Sequence, residues 1–335
     1  MRKAVYSILA VLATLFVLGY ALSHRDIPKD ITYGLSFSKL HSEELGLNWK
    51  DVYYGILTEL KPEHLRLSAH WPMVEPKNGV FGFADLDYQV QMAEMKGADV
   101  ILAVGRRAPG WPECHVPDWA LNLSKEERDA KVLEYITAVV MRYKDAPNLK
   151  YFQVENEPYL KFAPQYCGEF DPVFLKKEVD LVHTLAPNKK VLVTDSGEMG
   201  KWHGSWQAGD VFGTSVYLYV WYNPFGSIRY PIGPWFFRIK QNVIEFLYGK
   251  KPSLLIELGL EPWLNKPIAQ ASRDEQLARM SPDTIEEILA FARQTGFSEQ
   301  YLWGAEWWYY MKEVQNDARM WKRMQTLFES SPTAI

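Results

Sequence analysis

Residues 151–160 read "YFQVENEPYL", and the architecture of the chain turns on them. Tyr151, Phe152 and Val154 make a strand-like run that stops at Glu155-Asn156-Glu157, with Pro158 next. Carboxylates at the mouth of a buried strand are costly to desolvate, so they must be paired, solvated or used. Which of these holds depends on where the mouth opens.

On either side, short apolar runs alternate with longer amphipathic ones. The strand-like runs are "ITYGLSF", "HLRLSA", "DVILAVG", "LKYFQVE", "KVLVTD", "VFGTSVY", "SLLIEL" and "QYLWGAE". Most are apolar at consecutive positions, the pattern of a sheet buried on both faces. Helices are predicted between them. In "SPDTIEEILAFARQTG", Ile285, Ile288, Leu289 and Ala292 share one face, with Ser281 as N-cap, Pro282 at the first position and Gly296 at the exit. Ser124 to Glu127 form a capping box before a long helix, and "ADLDYQVQMAEMKG" ends at Gly97. Eight strands alternating with helices predict an α/β fold, a single-domain (β/α)8 barrel over residues 26–335. No G-x-G-x-x-G follows the first strand and no G-x-x-x-x-G-K-[ST] occurs, so nucleotide-binding open sheets lose their usual support.

The composition fits this reading. The 335 residues are 47% hydrophobic and 23% charged, ample for a barrel of about 250 residues with loops. A net charge of −4, a pI near 6.0 and no Lys/Arg run argue against a nucleic-acid partner. Thirteen Trp, 19 Tyr and 16 Phe include several in loop-like segments, where flat rings suit sugar faces as well as ordinary packing.

The first 25 residues differ. After Arg2 and Lys3, residues 4–22 carry no charge and are about long enough to span a hydrocarbon core as a helix. Positive charge ahead of the run favours an N-in orientation, with everything from about Asp26 outside the cytoplasm, membrane-anchored or secreted. An uncleaved anchor suits the length of the run; Ala21-Leu22-Ser23 also offers a small-x-small cleavage site. Cys114 and Cys167 are the only cysteines and lack C-x-x-C spacing, which argues against a zinc or redox site; in an exported chain they can pair or remain two thiols.

In a parallel barrel the strand C-termini converge on one face, so Glu157 from the fourth strand and Glu257 from the seventh share a mouth. Either alone could be a strand-end residue paired with Arg. Together they resemble the large clan of (β/α)8 glycoside hydrolases that keep an acid/base on strand four and a nucleophile on strand seven. Asn156-Glu157-Pro158 looks like that clan's Asn-Glu-Pro signature, "IELG" like its nucleophile segment, and "LRLSAHWPMVEPKNGVFGFADLD" is similar to its second-strand region. The resemblance covers about residues 31–328. It implies that Glu157 is the general acid/base and Glu257 the nucleophile of a retaining, two-carboxylate cleavage of a β-linked O-glycosidic bond, by hydrolysis or transglycosylation. It further implies that Arg66 supports the nucleophile, Asn156 binds the sugar 2-hydroxyl, Tyr217 touches the nucleophile and Trp303 floors the innermost sugar site, with His70 and Trp71 as further substrate contacts. The partner is then an oligo- or polysaccharide; no cofactor, metal or protein partner is implied. With Cys114 after strand three and Cys167 after strand four, both belong to adjacent loops of the upper face, where a disulfide is expected.

The chain also departs from the clan. Glu155 stands where many members carry an aromatic residue, and strict alternation places it on the same side as Glu157. Glu261, beyond Gly259 in "GLEPW", reads as a loop residue that is a second nucleophile candidate, a substrate contact or a surface group. Glu198 in "TDSGEMG" is a third acidic group on the same face. His70, His115, Arg106 and Arg107 read equally as loop structure and as hydroxyl recognition. A non-catalytic carbohydrate-binding barrel is the competing reading. A metal-dependent hydrolase lacks the His-x-His pair it needs after the first strand.

Overall fold

The computed structural model describes residue 19 and residues 23–110, 113–161, 167, 170–222 and 225–330. Eight strands close into a parallel barrel: β1 (Thr32–Phe37), β2 (His64–Ser68), β3 (Asp99–Val104), β4 (Leu149–Val154), β5 (Lys190–Asp195), β6 (Val211–Val216), β7 (Ser253–Gly259) and β8 (Glu299–Trp303). Each pairs with its neighbours in sequence order, and β1 closes the ring on β8 with Tyr33 opposite Gln300. All eight apolar runs are strands, because in a sheet covered by helices outside and packed by its own side chains inside, both faces of a strand must be apolar.

Alternation along the strands divides two layers. Leu65, Leu67, Phe152, Val154, Val191 and Val193 join the large core between barrel and helices. Ile101, Leu192, Val211, Leu254, Ile256 and Tyr301 form a separate plug inside the barrel. Gly34 makes room for it, since a Cβ there would lie 2.6 Å from the Tyr301 ring. The plug leaves the C-terminal mouth to polar residues.

The helices follow their sequence signals. Ser281 caps Pro282–Arg293, and Gly296 takes the left-handed φ of +98° beyond its end. Ser124 and Glu127 form the capping box of Lys125–Tyr143, and Ala84–Met95 ends before Gly97 at φ +76°. An antiparallel hairpin, Tyr219–Tyr222 with Gly226–Arg229, is added between β6 and the next helix, Pro234–Tyr248. Cys114 and Cys167 are joined, with Cα atoms 5.7 Å apart, across the loops after β3 and β4. Among the described residues no helix is long and apolar enough to cross a membrane. The charge-free run at residues 4–22 lies, residue 19 apart, outside them.

Candidate active site

Arg66 is the centre of the mouth. On β2 its neighbours Leu65 and Leu67 face the helices, so its own side chain turns into the barrel, where it is 1% exposed. A buried guanidinium needs acceptors for its donors. Nε donates to Gln153 Oε1 (2.8 Å), one terminal nitrogen to Asn156 Oδ1 (2.7 Å) and the other to the Glu257 carboxylate. Tyr217 Oη donates to the second carboxylate oxygen of Glu257 at 2.7 Å.

Simple alternation would not point Glu257 inward. Leu254 and Ile256 belong to the barrel plug, which assigns Glu257 to the outer face. The register corrects this: Thr214 pairs with Leu255 but Ser215 with Glu257, and on the other side Gln300 pairs with Leu255 but Leu302 with Leu258. Both neighbours thus skip one residue of β7 at the same place, a β-bulge that re-aims Glu257 into the mouth. Two positions further on, Gly259 leaves space for Tyr217, whose ring carbons would lie 2.5 Å from any Cβ there.

β4 delivers the other carboxylate by a different irregularity. Glu155 and Glu157 both adopt left-handed backbone conformations, φ 57° and 44°, which non-glycine residues rarely take. The two side chains consequently part company. Glu155 accepts from the backbone N–H groups of Arg106 and Arg107 at 2.9 and 2.7 Å and pins the loop after β3. Gly105, at φ +120°, gives it room: a Cβ would lie 2.7 Å from its carboxyl carbon. Glu157 instead turns toward β6, where Ser215 Oγ donates to it at 2.6 Å, while its own N–H donates to Thr194 Oγ1 at 2.9 Å. Burial, and after it the charges of Glu113 and Glu257, hold its pKa well above the carboxylate range, against the Ser215 hydrogen bond. The two expected carboxylates therefore share one site in unlike environments.

Glu113 was not anticipated. It sits in the irregular loop after β3 at φ 61°, accepts from Arg107 (2.8 Å) and takes the Asn156 amide N–H at 3.4 Å. Asn156 Oδ1 is occupied by Arg66, Gln153 and Thr194, so the amide orientation is fixed with its N–H toward Glu113. Burial raises the Glu113 pKa despite Arg107. Glu198 is the third acid seen in the sequence. It accepts from the Tyr217 backbone N–H (2.9 Å), and burial pushes it up to about 7.

On the β8 side, Trp303 donates its indole N–H to Glu261 (2.7 Å), and Glu261 in turn meets His41 Nε2 at 2.8 Å. Glu261 is thus a positioning group for Trp303, engaged away from Arg66 and Tyr217. His70 is 1% exposed, with Nε2 on the Pro109 carbonyl (3.2 Å) and its ring against His115 at 4.4 Å. Both imidazoles support the loop after β3. Trp71 corrects the expectation of a sugar contact: it is fully buried, its indole N–H bonds Glu75 (2.7 Å) and its ring packs on Trp119 and Tyr135. The helix Trp71–Val74 that follows β2 folds it back into the core. Of the Arg pair, Arg107 reaches the site through Glu113, whereas Arg106 pairs with Asp129 at 3.1 Å outside it.

The barrel has solved counterparts. The chain is similar to a GH5_18 protein from Bifidobacterium longum subsp. longum ATCC 55813 (TM-score 0.58, 15% identity, 82% of this chain and 70% of that one). It is similar to a variant of that protein in complex with Manb1-4GlcNAc (TM-score 0.56, 15% identity, 82% and 68%). A β-galactosidase from the psychrophilic Marinomonas ef1 also shares the fold (TM-score 0.55, 12% identity, 82% and 54%). The fold is that of glycoside hydrolase (β/α)8 barrels. This chain spans about half the length of the β-galactosidase. No protein-family model and no curated protein matches it.

Proposed function

We propose that the protein is a retaining β-glycosidase or transglycosylase. The observation that carries this reading is the unequal pair: Glu257 held by Arg66 and Tyr217, and Glu157, near enough to feel the Glu257 charge and with its pKa raised by burial and like charge. A double displacement needs this asymmetry. Glu157 protonates the departing oxygen while Glu257 attacks the anomeric carbon; water, deprotonated by Glu157, then releases the sugar. The Asn156 N–H is oriented to meet the 2-hydroxyl. Fold neighbours that act on or bind β-linked sugars, Manb1-4GlcNAc among them, support β-mannosides and β-galactosides as first substrates to try.

The test is a screen of the purified chain against aryl β-glycosides and plant, fungal and bacterial polysaccharides, with product stereochemistry followed by NMR. Retention is expected. Glu257→Ala should abolish turnover and be rescued by azide with inverted product; Glu157→Ala should keep activity only on substrates whose leaving group needs no proton. Inversion by the wild-type enzyme, or a mechanism-based 2-fluoro glycoside labelling Glu261, would overturn the assignment. A non-catalytic sugar-binding barrel would bind without turnover in the same screen.

We infer further that the barrel works outside the cytoplasm, held by residues 4–22. The Cys114–Cys167 bond supports this, because such bonds persist in oxidising compartments.

A further inference from the structure

The helix Pro234–Tyr248 is apolar on two sides. Phe237, Gln241 and Ile244 face the barrel and are buried. On the outside, Trp235 (49% exposed), Ile239, Val243 (36%), Phe246 (87%) and Leu247 (58%) recur at helical spacing and make one stripe, ending near Tyr248 and the exposed Lys250. A contiguous exposed apolar stripe of this kind marks an interaction surface. Among the described residues nothing covers this stripe.

The chain itself says what lies next to it. Residues 23–25 run along the flank of the same helix: Arg238 donates to the Ser23 carbonyl (2.8 Å), Asn242 to the His24 carbonyl (3.0 Å), and Arg25 to Asn242 (3.1 Å) and Glu245 (2.8 Å). The charge-free run at 4–22 therefore joins the folded protein on this helix with no linker between. If that run enters a bilayer, its last residue lies at the membrane surface, and the helix to which the next residues are bonded must lie there too.

We propose that the outer stripe of Pro234–Tyr248 is a membrane-interface surface, seated at the headgroup–acyl boundary beside the inserted run. This rests on the anchor reading of residues 4–22. The residue types suit the site: Trp235 at one end, Tyr248 at the other, aliphatic and Phe side chains between, and Lys250 beyond to reach headgroups. The helix connects the top of β6 to the bottom of β7 and so lies along the barrel wall. The barrel then rests on its side, and its mouth opens along the membrane plane rather than away from it.

The full chain is to be reconstituted in phosphatidylcholine–phosphatidylglycerol vesicles with the disulfide intact. Phe246→Cys and Leu247→Cys carry an environment-sensitive NBD label, and Met95→Cys, 69% exposed on another helix, serves as control. A blue shift at 246 and 247, with quenching by nitroxides on the lipid chains that the label at 95 escapes, is expected. A chain that does not float with vesicles would overturn both the anchor and this surface. A floating chain whose 246 label stays in water would overturn the surface alone. A blue shift without lipid quenching would assign the stripe to a second copy or to residues 4–22 folded back, and overturn it equally.

Discussion

Replacing Gly259 by alanine should disable the site without touching a catalytic atom. The new methyl would lie 2.5 Å from Tyr217 Cδ1 and Cε1, so the ring must move. It cannot move freely: its backbone N–H is held by Glu198, and Trp263 stands edge-on at 5.1 Å. Displacement breaks the 2.7 Å hydrogen bond from Tyr217 to Glu257. A hydrogen bond to a charged group contributes about 1.5–3 kcal/mol. If the bond is made as fully in the transition state, its loss lowers kcat/KM by about 10- to 150-fold. Tyr217→Phe should cost the same, since it deletes that bond and keeps the ring. In Gly259→Ala/Tyr217→Phe the activity losses should not multiply, because the bond can be lost only once. The overpacking cost on stability, about 1–3 kcal/mol, should persist in the double variant, and denaturant unfolding separates it from the kinetic effect. Wild-type kcat/KM in Gly259→Ala, or multiplicative losses in the double variant, would refute the role given to the glycine.

Two further outcomes are expected. Arg66→Met leaves Glu257 buried without its cation and should cost about 3–5 kcal/mol in unfolding free energy, with much of it restored in Arg66→Met/Glu257→Gln; equal stability of the two variants would count against Arg66 as the counter-ion. Glu306 is fully buried, accepts from the Ser38 N–H at 2.6 Å, and burial pushes its pKa up to about 7 against the pull of His41. Its folded pKa lies above the unfolded one, so the native state binds the extra proton and stability falls as pH rises from about 4.5 to 7. Glu306→Gln removes this titration, and its stability relative to wild type should improve by about 3 kcal/mol between pH 4.5 and 8; a difference independent of pH would contradict it.

The barrel was legible because its physics is one-dimensional: a strand buried on both faces must be apolar throughout, and helices such as Lys125–Tyr143 and Pro282–Arg293 carry their own caps. Arg66 was found through the resemblance alone, and the structure gives the physical reason: with Leu65 and Leu67 facing the helices, the side chain between them turns into the barrel. Legibility ended where the backbone departs from regularity. The β7 bulge reverses the facing of Glu257, and the left-handed Glu155 and Glu157 defeat the alternation that would have put them side by side. Sequence gives no sign of a bulge, and left-handed glutamates run against propensity. Glu113 was invisible for the same reason: "WPECH" has no period, and only the fold brings its carboxylate to Asn156. Trp71 misled in the opposite sense, because a buried and a sugar-facing tryptophan look alike as letters.

The pH dependence of turnover tests the environment of Glu157 more sharply than its removal can. As general acid it must hold a proton, so kcat/KM should fall as pH rises through its raised folded pKa. Two neighbours act on that value with opposite sign. Ser215 donates to the carboxyl at 2.6 Å and favours the ionised form. Glu113 adds a like charge, which opposes the loss of the Glu157 proton. Ser215→Ala should therefore move the alkaline limb to higher pH, and Glu113→Gln should move it to lower pH, though neither variant touches the nucleophile. A substrate with a good leaving group needs no acid, and with it the alkaline limb should be muted in all three proteins. Shifts in the same direction, or a limb unmoved by both, would mean that another group carries the proton, and the roles given to the pair would have to be exchanged or abandoned.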